Sequence, residues 1–284
     1  MEQLHIGEFT LTWLDGGDNH LDGGAMFGVV PKVLWNRRYP CNENNQIPLR
    51  TDPILIQGQG KNLLLESGIG GADKLDERQR RNYGVTQESR VESSLREMGL
   101  SPEDIDAVLM THLHFDHSNG LTRREQDKYV SSFPRSVVHV SEREWDEMRE
   151  PTLRTRGTYL PQNWQPIRDQ VQTFQREAEI VPGVRLIHTG GHSQGHAILR
   201  LQSEGEVLYH FADLCGTHAH QPVLWVMAYD DYPMSSIAAK QRWMEEAKRE
   251  EAWLSFYHDA FVRALKWNRE GEETVRLERE KAEG

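Results

Sequence analysis

The chain has 284 residues, 37% of them hydrophobic, which is enough for a sizeable core, and its 23 Gly and 12 Pro are ordinary for a globular domain, so collagen-like and disordered readings are excluded. Acids outnumber bases by 44 to 33, and a net charge of −11 repels phosphate backbones, so no nucleic-acid partner is expected. Two cysteines, Cys41 and Cys215, are too few for a disulfide framework or a thiolate metal cluster.

The start, Met1 to His5, has an early acid and neither the basic nor the apolar region of a secretory signal, so a cytoplasmic location is expected. Residues 1–66 read as β-rich, with apolar stretches at Leu4 to Leu14 and Met26 to Val30. Ile54 to Ile56 and Leu63 to Leu65, flanking Gly58-Gln59-Gly60, form an expected hairpin. Val91, Leu95 and Met98 predict a helix running from Thr86 to a stop at Gly99. Ser101-Pro102 then caps a short turn before a strand from Ile105 to Met110. Further strands are expected at Val137 to Val140, Val184 to His188, Ala197 to Leu201 and Val207 to Phe211, with a helix from Ser141. The stretch Glu150 to Arg168 reads as a long irregular loop, a common place for function. Apolar runs such as Val223 to Tyr229 fall far short of the roughly 20 residues that cross a bilayer, so no membrane partner is expected. A helix after Pro233, capped by Ser235 or Ser236, precedes a strand from Ala252 to Tyr257, and the charged 269–284 reads as a frayed tail. We read residues 1–284 as one domain of two sheets between helical layers.

The strongest chemical signal is His112-Leu113-His114-Phe115-Asp116-His117 at the end of a predicted strand. In an extended segment His112 and His114 project the same way, and a turn can bring Asp116 and His117 beside them, so one loop can seed two metal sites. Imidazole and carboxylate suit zinc, iron or manganese. His192, Asp213 and His258 each follow another predicted strand, which is where open α/β sheets place their sites. His196 reads as a hydrogen-bond partner of the cluster, and Cys215 as a small buried thiol.

The order HxHxDH, then His after glycines, then Asp, then His resembles the metallo-β-lactamase superfamily, over the whole span from His112 to His258. The resemblance implies an αββα sandwich in which His112, His114 and His192 bind one metal, Asp116, His117 and His258 bind the other, and Asp213 bridges both. It implies two divalent ions, zinc first, with manganese, iron or cobalt as alternatives. The segments Asp22 to Lys32, Arg81 to Thr86 and Thr217 to His220 look like the YtnP-type quorum-quenching lactonases, near the methyl parathion hydrolase branch. The function implied is a hydrolase that opens the ring of N-acyl-homoserine lactones or similar lactones by attack of a metal-bridging hydroxide. Asp116 and Asp213 are its catalytic carboxylates, with Asp116 shuttling the proton to the leaving group.

Better-known lactonases of the superfamily carry a tyrosine three residues after the bridging aspartate, and here that position is Gly216. His218, Tyr83 or Tyr229 is left to serve as donor. Met26, Phe27, Trp164, His218 and His220 are the expected substrate contacts, the aromatic ones forming an apolar wall. The alternatives are a phosphotriesterase, a thioesterase, a β-lactamase or a mononuclear iron persulfide dioxygenase. Against the last stand His114, Asp116, His117 and His258, more ligands than an open mononuclear site uses. The expected partner is a small neutral lactone, and a homodimer is left open.

Overall fold

The computed structural model describes residues 1–280. Its first half supplies β1 (Gln3–Ile6), β2 (Phe9–Trp13), β3 (Asp18–Asp22), β4 (Gln46–Arg50), β5 (Ile54–Gly58), β6 (Lys61–Leu65), β7 (Ala107–Leu109), β8 (Thr122–Glu125), β9 (Lys128–Ser131), β10 (Val137–Ser141) and β11 (Val171–Phe174). The second supplies β12 (Glu177–Val181), β13 (Val184–His188), β14 (Ala197–Ser203), β15 (Glu206–His210), β16 (Trp253–Ser255), β17 (Val262–Trp267) and β18 (Glu273–Glu278). They build two mixed seven-stranded sheets, ordered β1-β2-β5-β6-β7-β10-β11 and β12-β13-β14-β15-β16-β17-β18. The pairs β3-β4 and β8-β9 stand apart as two-stranded ribbons.

Strand alternation makes the layers. In the expected hairpin, Ile54, Ile56, Leu63 and Leu65 face Leu186, Leu199 and Leu201 of the second sheet, forming the core between the sheets. Leu55 and Leu64 point the other way, with Val108 and Val140, onto Val91, Leu95 and Met148 from helices over the first sheet. Ile198, Tyr209 and Leu254 likewise meet Met244 and Ala247 of the helix Pro233–Arg249. The result is the αββα sandwich expected from the strand pattern. No helix among the described residues is long and apolar enough to cross a membrane.

Several boundaries differ from expectation. Leu4 to Leu14 is the β1-β2 hairpin, whereas Met26 to Val30 lies in no strand. Gly23–Phe27 is a short helix, held by the Asp22 carboxylate accepting from the Ala25 N–H at 2.8 Å. The helix expected from Thr86 begins at Val91, because Gln87 bridges to Asp18 instead. Neither Ser235 nor Ser236 caps the long helix: Pro233 opens it, its fixed φ suiting the first turn, and Tyr232 is the N-cap. The frayed-tail reading of 269–284 is corrected for β18, which pairs antiparallel with β17. Its side chains are mostly charged or polar and exposed, with Leu277 half-buried against the core between the sheets, so composition conceals it. Residues 281–284 of that reading lie outside the described residues.

Candidate metal centre

The first sheet brings its ligand loop in at the end of β7. Beyond Leu109 the chain turns through Thr111, and Phe115–Ser118 winds one short helix that places Asp116 and His117 beside His112 and His114. The second sheet supplies the rest from the carboxyl ends of β13, β15 and β16: His192, Asp213 and His258. Gly191, at φ +103, turns the His192 loop where a side chain could not follow, since a Cβ there would lie 2.7 Å from Ser236 Cα. All seven residues are buried.

Their ligand atoms converge in three overlapping groups: His112, His114 and His192; His112, His117 and Asp213; and Asp116, His117 and His258, the atoms within each group lying within 4.8 Å of one another. Asp213 sits between the halves. Its Oδ1 is 3.3 Å from His117 Nε2 and 3.2 Å from His258 Nε2; its Oδ2 is 3.1 Å from His192 Nε2 and 4.0 Å from His112 Nε2. Asp116 Oδ2 lies 3.6 Å from His258 Nε2.

Most of these imidazoles are anchored through their other nitrogen. His192 Nδ1 donates to Asp230 Oδ1 at 2.8 Å, His258 Nδ1 to the Arg50 carbonyl at 2.9 Å, and His112 Nδ1 to Thr111 Oγ1 at 3.0 Å. Thr111 Oγ1 in turn donates to Glu66, whose Oε2 faces His117 Nδ1 at 3.4 Å. His112 Nε2, both ring nitrogens of His117 and Asp213 Oδ1 are left buried without a hydrogen-bond partner. His114 Nδ1 and His192 Nε2 face each other at 3.0 Å. Buried polar atoms aimed at one point and left unpaired are costly unless a cation takes them, so the donor set fits metal binding.

The electrostatics divide the histidines into two pairs. Burial holds His112 and His114 well below the usual imidazole range, leaving them neutral. Burial acts the same way on His192 and His117, but at His192 the carboxylates of Asp213 and Asp230 outweigh it, pushing that imidazole up to about 9, and at His117 those of Asp213 and Glu66 do so. Burial alone would raise Asp213; His258, His192 and His117 hold it well below the carboxylate range.

A cavity of about 280 Å³ opens onto the cluster, its apolar wall formed by Leu21, Met26, Phe115 and Met227, with Tyr83 and Tyr229 beside them. Of the five expected substrate contacts only Met26 lines it. Phe27 is fully buried, stacked between Trp35 at 5.0 Å and His220 at 4.4 Å. His220 Nε2 donates to the Met26 carbonyl at 2.8 Å, so it supports the wall from behind. His218 turns away to Asp259, 2.6 Å from Nδ1, and Trp164 packs edge-on against Trp145 on the outer face of the first sheet. His196 joins none of the three groups and, against expectation, makes no hydrogen bond to them: its ring lies 5.3 Å from His112, its Nδ1 meets Thr189 Oγ1, and its Nε2 is buried without a partner. Cys215 is buried. The sequence reading missed Asp230, Glu66, Arg154, Thr155, Thr158 and Asp231. The last four line the cavity with no motif to announce them, except that Arg154 to Thr158 fall in the loop singled out by its length.

A two-sheet sandwich with a histidine and aspartate cluster at the ends of its strands defines an α/β metalloprotein. Residues 47–258 match the metallo-beta-lactamase superfamily, and the chain belongs to it. It is 26% identical to N-acyl homoserine lactonase AiiA of Bacillus thuringiensis subsp. kurstaki over 177 residues, 62% of this chain; the match spans 64% of AiiA, just under two thirds. N-acyl homoserine lactonase AiiB of Agrobacterium fabrum is 30% identical over 204 residues, 67% of this chain and 71% of AiiB. Among solved structures, a probable metal-dependent hydrolase from Staphylococcus aureus is 43% identical with a TM-score of 0.94, covering 98% of this chain and 99% of that one. AidC, a dizinc quorum-quenching lactonase, is 16% identical with a TM-score of 0.78 over 99% of this chain and 97% of its own, a likeness of fold.

Proposed function

We propose that this chain is a metal-dependent hydrolase that opens the ester ring of N-acyl homoserine lactones or closely similar lactones. The observation that carries the reading is Asp213, whose two oxygens face the two halves of one buried cluster. His112, His114 and His192 would hold one divalent ion and Asp116, His117 and His258 the other, with zinc the first choice, as in AidC. Such a pair, when bound, supplies an activated water and a positive centre for the carbonyl oxygen.

The chain's own groups do the rest. Asp116, at the cavity surface, holds the proton that must reach the departing ring oxygen; water adds across the ring C–O bond and one hydroxy acid results. Leu21, Met26, Phe115 and Met227 take an apolar tail. A Cβ at Gly216 would lie 2.6 Å from Met227 Cε, the tip of a flexible side chain, so a larger residue there requires Met227 to move. With His218 bound to Asp259, Tyr83 and Tyr229 are the tyrosines that line the cavity. Burial, then Asp22 and Asp116, pushes Tyr229 up to about 12, and burial, then Asp116, raises Tyr83, so both stay protonated as donors. The two sheets share one core, which supports reading 1–284 as one hydrolase domain.

The test is metal content per chain together with rates on acyl-homoserine lactones of increasing chain length and on a phosphotriester, in one metal condition. About two ions per chain and the highest kcat/KM on a lactone are expected. A phosphotriester kcat/KM above that of every lactone refutes the substrate assignment, and one iron with oxygen consumption on a persulfide refutes the hydrolase.

A further inference from the structure

The first turn of the helix Glu142–Arg149 carries a carboxylate with no part in the chemistry above. Glu144 is fully buried. Its Oε1 accepts from the Leu113 N–H at 2.8 Å and the Tyr159 hydroxyl at 3.0 Å, and its Oε2 accepts from the Ser193 hydroxyl at 2.5 Å. Leu113 stands between His112 and His114, and Ser193 follows His192. One carboxylate therefore grips both loops that deliver His112 Nε2, His114 Nδ1 and His192 Nε2.

The fit is close on the His192 side. A Cβ on Gly195 would come within 2.0 Å of the Glu144 backbone nitrogen, so only glycine lets the loop lie on the helix. The Ser141 hydroxyl donates to the Gly195 carbonyl, and Glu147 Oε2 accepts from the Gln194 N–H at 2.9 Å. Among the described residues, no side-chain hydrogen bond of Glu144 reaches Asp116, His117 or His258.

We propose that Glu144 is a positioning residue that sets the separation between the His112–His114 loop and the His192 loop, and thereby the metal affinity of that half of the centre alone. The proposal rests on reading those three histidines as ligands. Three donors converge on Glu144, and an ionised carboxylate, which only accepts, suits all three. Glutamine keeps most of this: its carbonyl serves Leu113 and Tyr159, while its amide donates to a Ser193 hydroxyl turned to accept. Alanine leaves the Leu113 N–H buried and unpaired.

Metal-free wild type, Glu144→Ala, Glu144→Gln and Ser193→Ala are titrated with Zn²⁺ at pH 8 against a chromophoric chelator, with circular dichroism to confirm the fold and Co²⁺ absorption to report coordination. Wild type should take two equivalents. In Glu144→Ala and Ser193→Ala one equivalent should bind as in wild type and the other about 10- to 100-fold more weakly, with a changed Co²⁺ spectrum, and Glu144→Gln should recover most of the loss. If Glu144→Ala does not fold, Ser193→Ala, which cuts only the His192 contact, carries the test. Two wild-type affinities in the folded variants, or equal weakening of both, overturn the positioning role. Fewer than two equivalents in wild type overturns the ligand assignment beneath it.

Discussion

Replacing Asp213 by alanine should disable both halves of the centre at once. Its Oδ1 faces His117 and His258 at 3.3 and 3.2 Å, and its Oδ2 faces His192 at 3.1 Å, so no other carboxylate in the cluster touches both sets. With the side chain 6% exposed, water cannot replace it cheaply. Removing one partner of a buried charge pair costs about 3–5 kcal/mol, which at about 1.4 kcal/mol per decade is two to three and a half decades of affinity. Both zinc equivalents should weaken by that order in a chelator-competition titration, and lactone turnover should vanish with them. Asp213→Asn keeps the shape without the charge and should fall between. Asp116→Asn, by contrast, should keep more metal than Asp213→Ala while losing turnover, because it faces only His258 within 4 Å and its proposed work is the proton. If folded Asp213→Ala kept both ions near wild-type affinity, the bridging assignment would be wrong.

Asp230→Ala unties His192 Nδ1 and should weaken metal binding about 10- to 100-fold, with no loss in the order of affinities at Asp116, His117 and His258, as read by the same titration. Met26→Ala should raise KM for long acyl chains more than for short ones, since Met26 lines the cavity. Phe27→Ala should instead cost about 3–5 kcal/mol of stability in urea unfolding, because the ring is wholly buried, and a pure KM effect there would contradict its placement. Burial pushes Glu144 from 4.5 up to about 7 in the folded protein, against the hydrogen bonds from Ser193 and Leu113. A raised carboxyl pKa means the folded state holds the proton more tightly, so this contribution is full below about 4.5 and is lost as pH rises through about 7. Metal-free wild type should lose on the order of 3 kcal/mol across that window from this group, and Glu144→Gln should flatten the slope; an unchanged slope would reject it.

The candidate cluster was legible because its residues follow strands that are themselves legible. His112 to His117 is contiguous, and His192, Asp213 and His258 each close an apolar run that became β13, β15 or β16. The groups that aim them were not. Asp230 reaches His192 across 38 residues, and Glu144 reaches Leu113 across 31 and Ser193 across 49, with no local pattern linking them. The substrate wall failed for a different reason. Met26 and Phe27 are adjacent on a helical turn, where neighbouring side chains diverge, so one faces the cavity and the other stacks on Trp35; aromatic character could not tell them apart. The strands β3 and β8 escaped because their charged and polar residues give no apolar alternation to read, and β4 and β18 because theirs is only one pair each, Ile47 and Leu49 about Pro48, and Val275 and Leu277 among charges.

The division of the proposed ligands between sheets explains why such a centre can be assembled from so few recognisable residues. His112, His114, Asp116 and His117 come from the first sheet, whereas His192, Asp213 and His258 come from the second, so the cluster lies on the seam where the sandwich closes. The core between the sheets, through Leu65 and Leu109 against Leu186 and Leu199, sets how far apart those strand ends stand. Glu144, from a helix packed on the first sheet, then reaches over to Ser193 of the second, tying the two ligand loops more finely than sheet packing can. Packing thus fixes the centre to within a side chain's length, and a few buried polar contacts between distant segments fix it within that. Those contacts carry no signature in the chain, since any acceptor at the right place in space would serve.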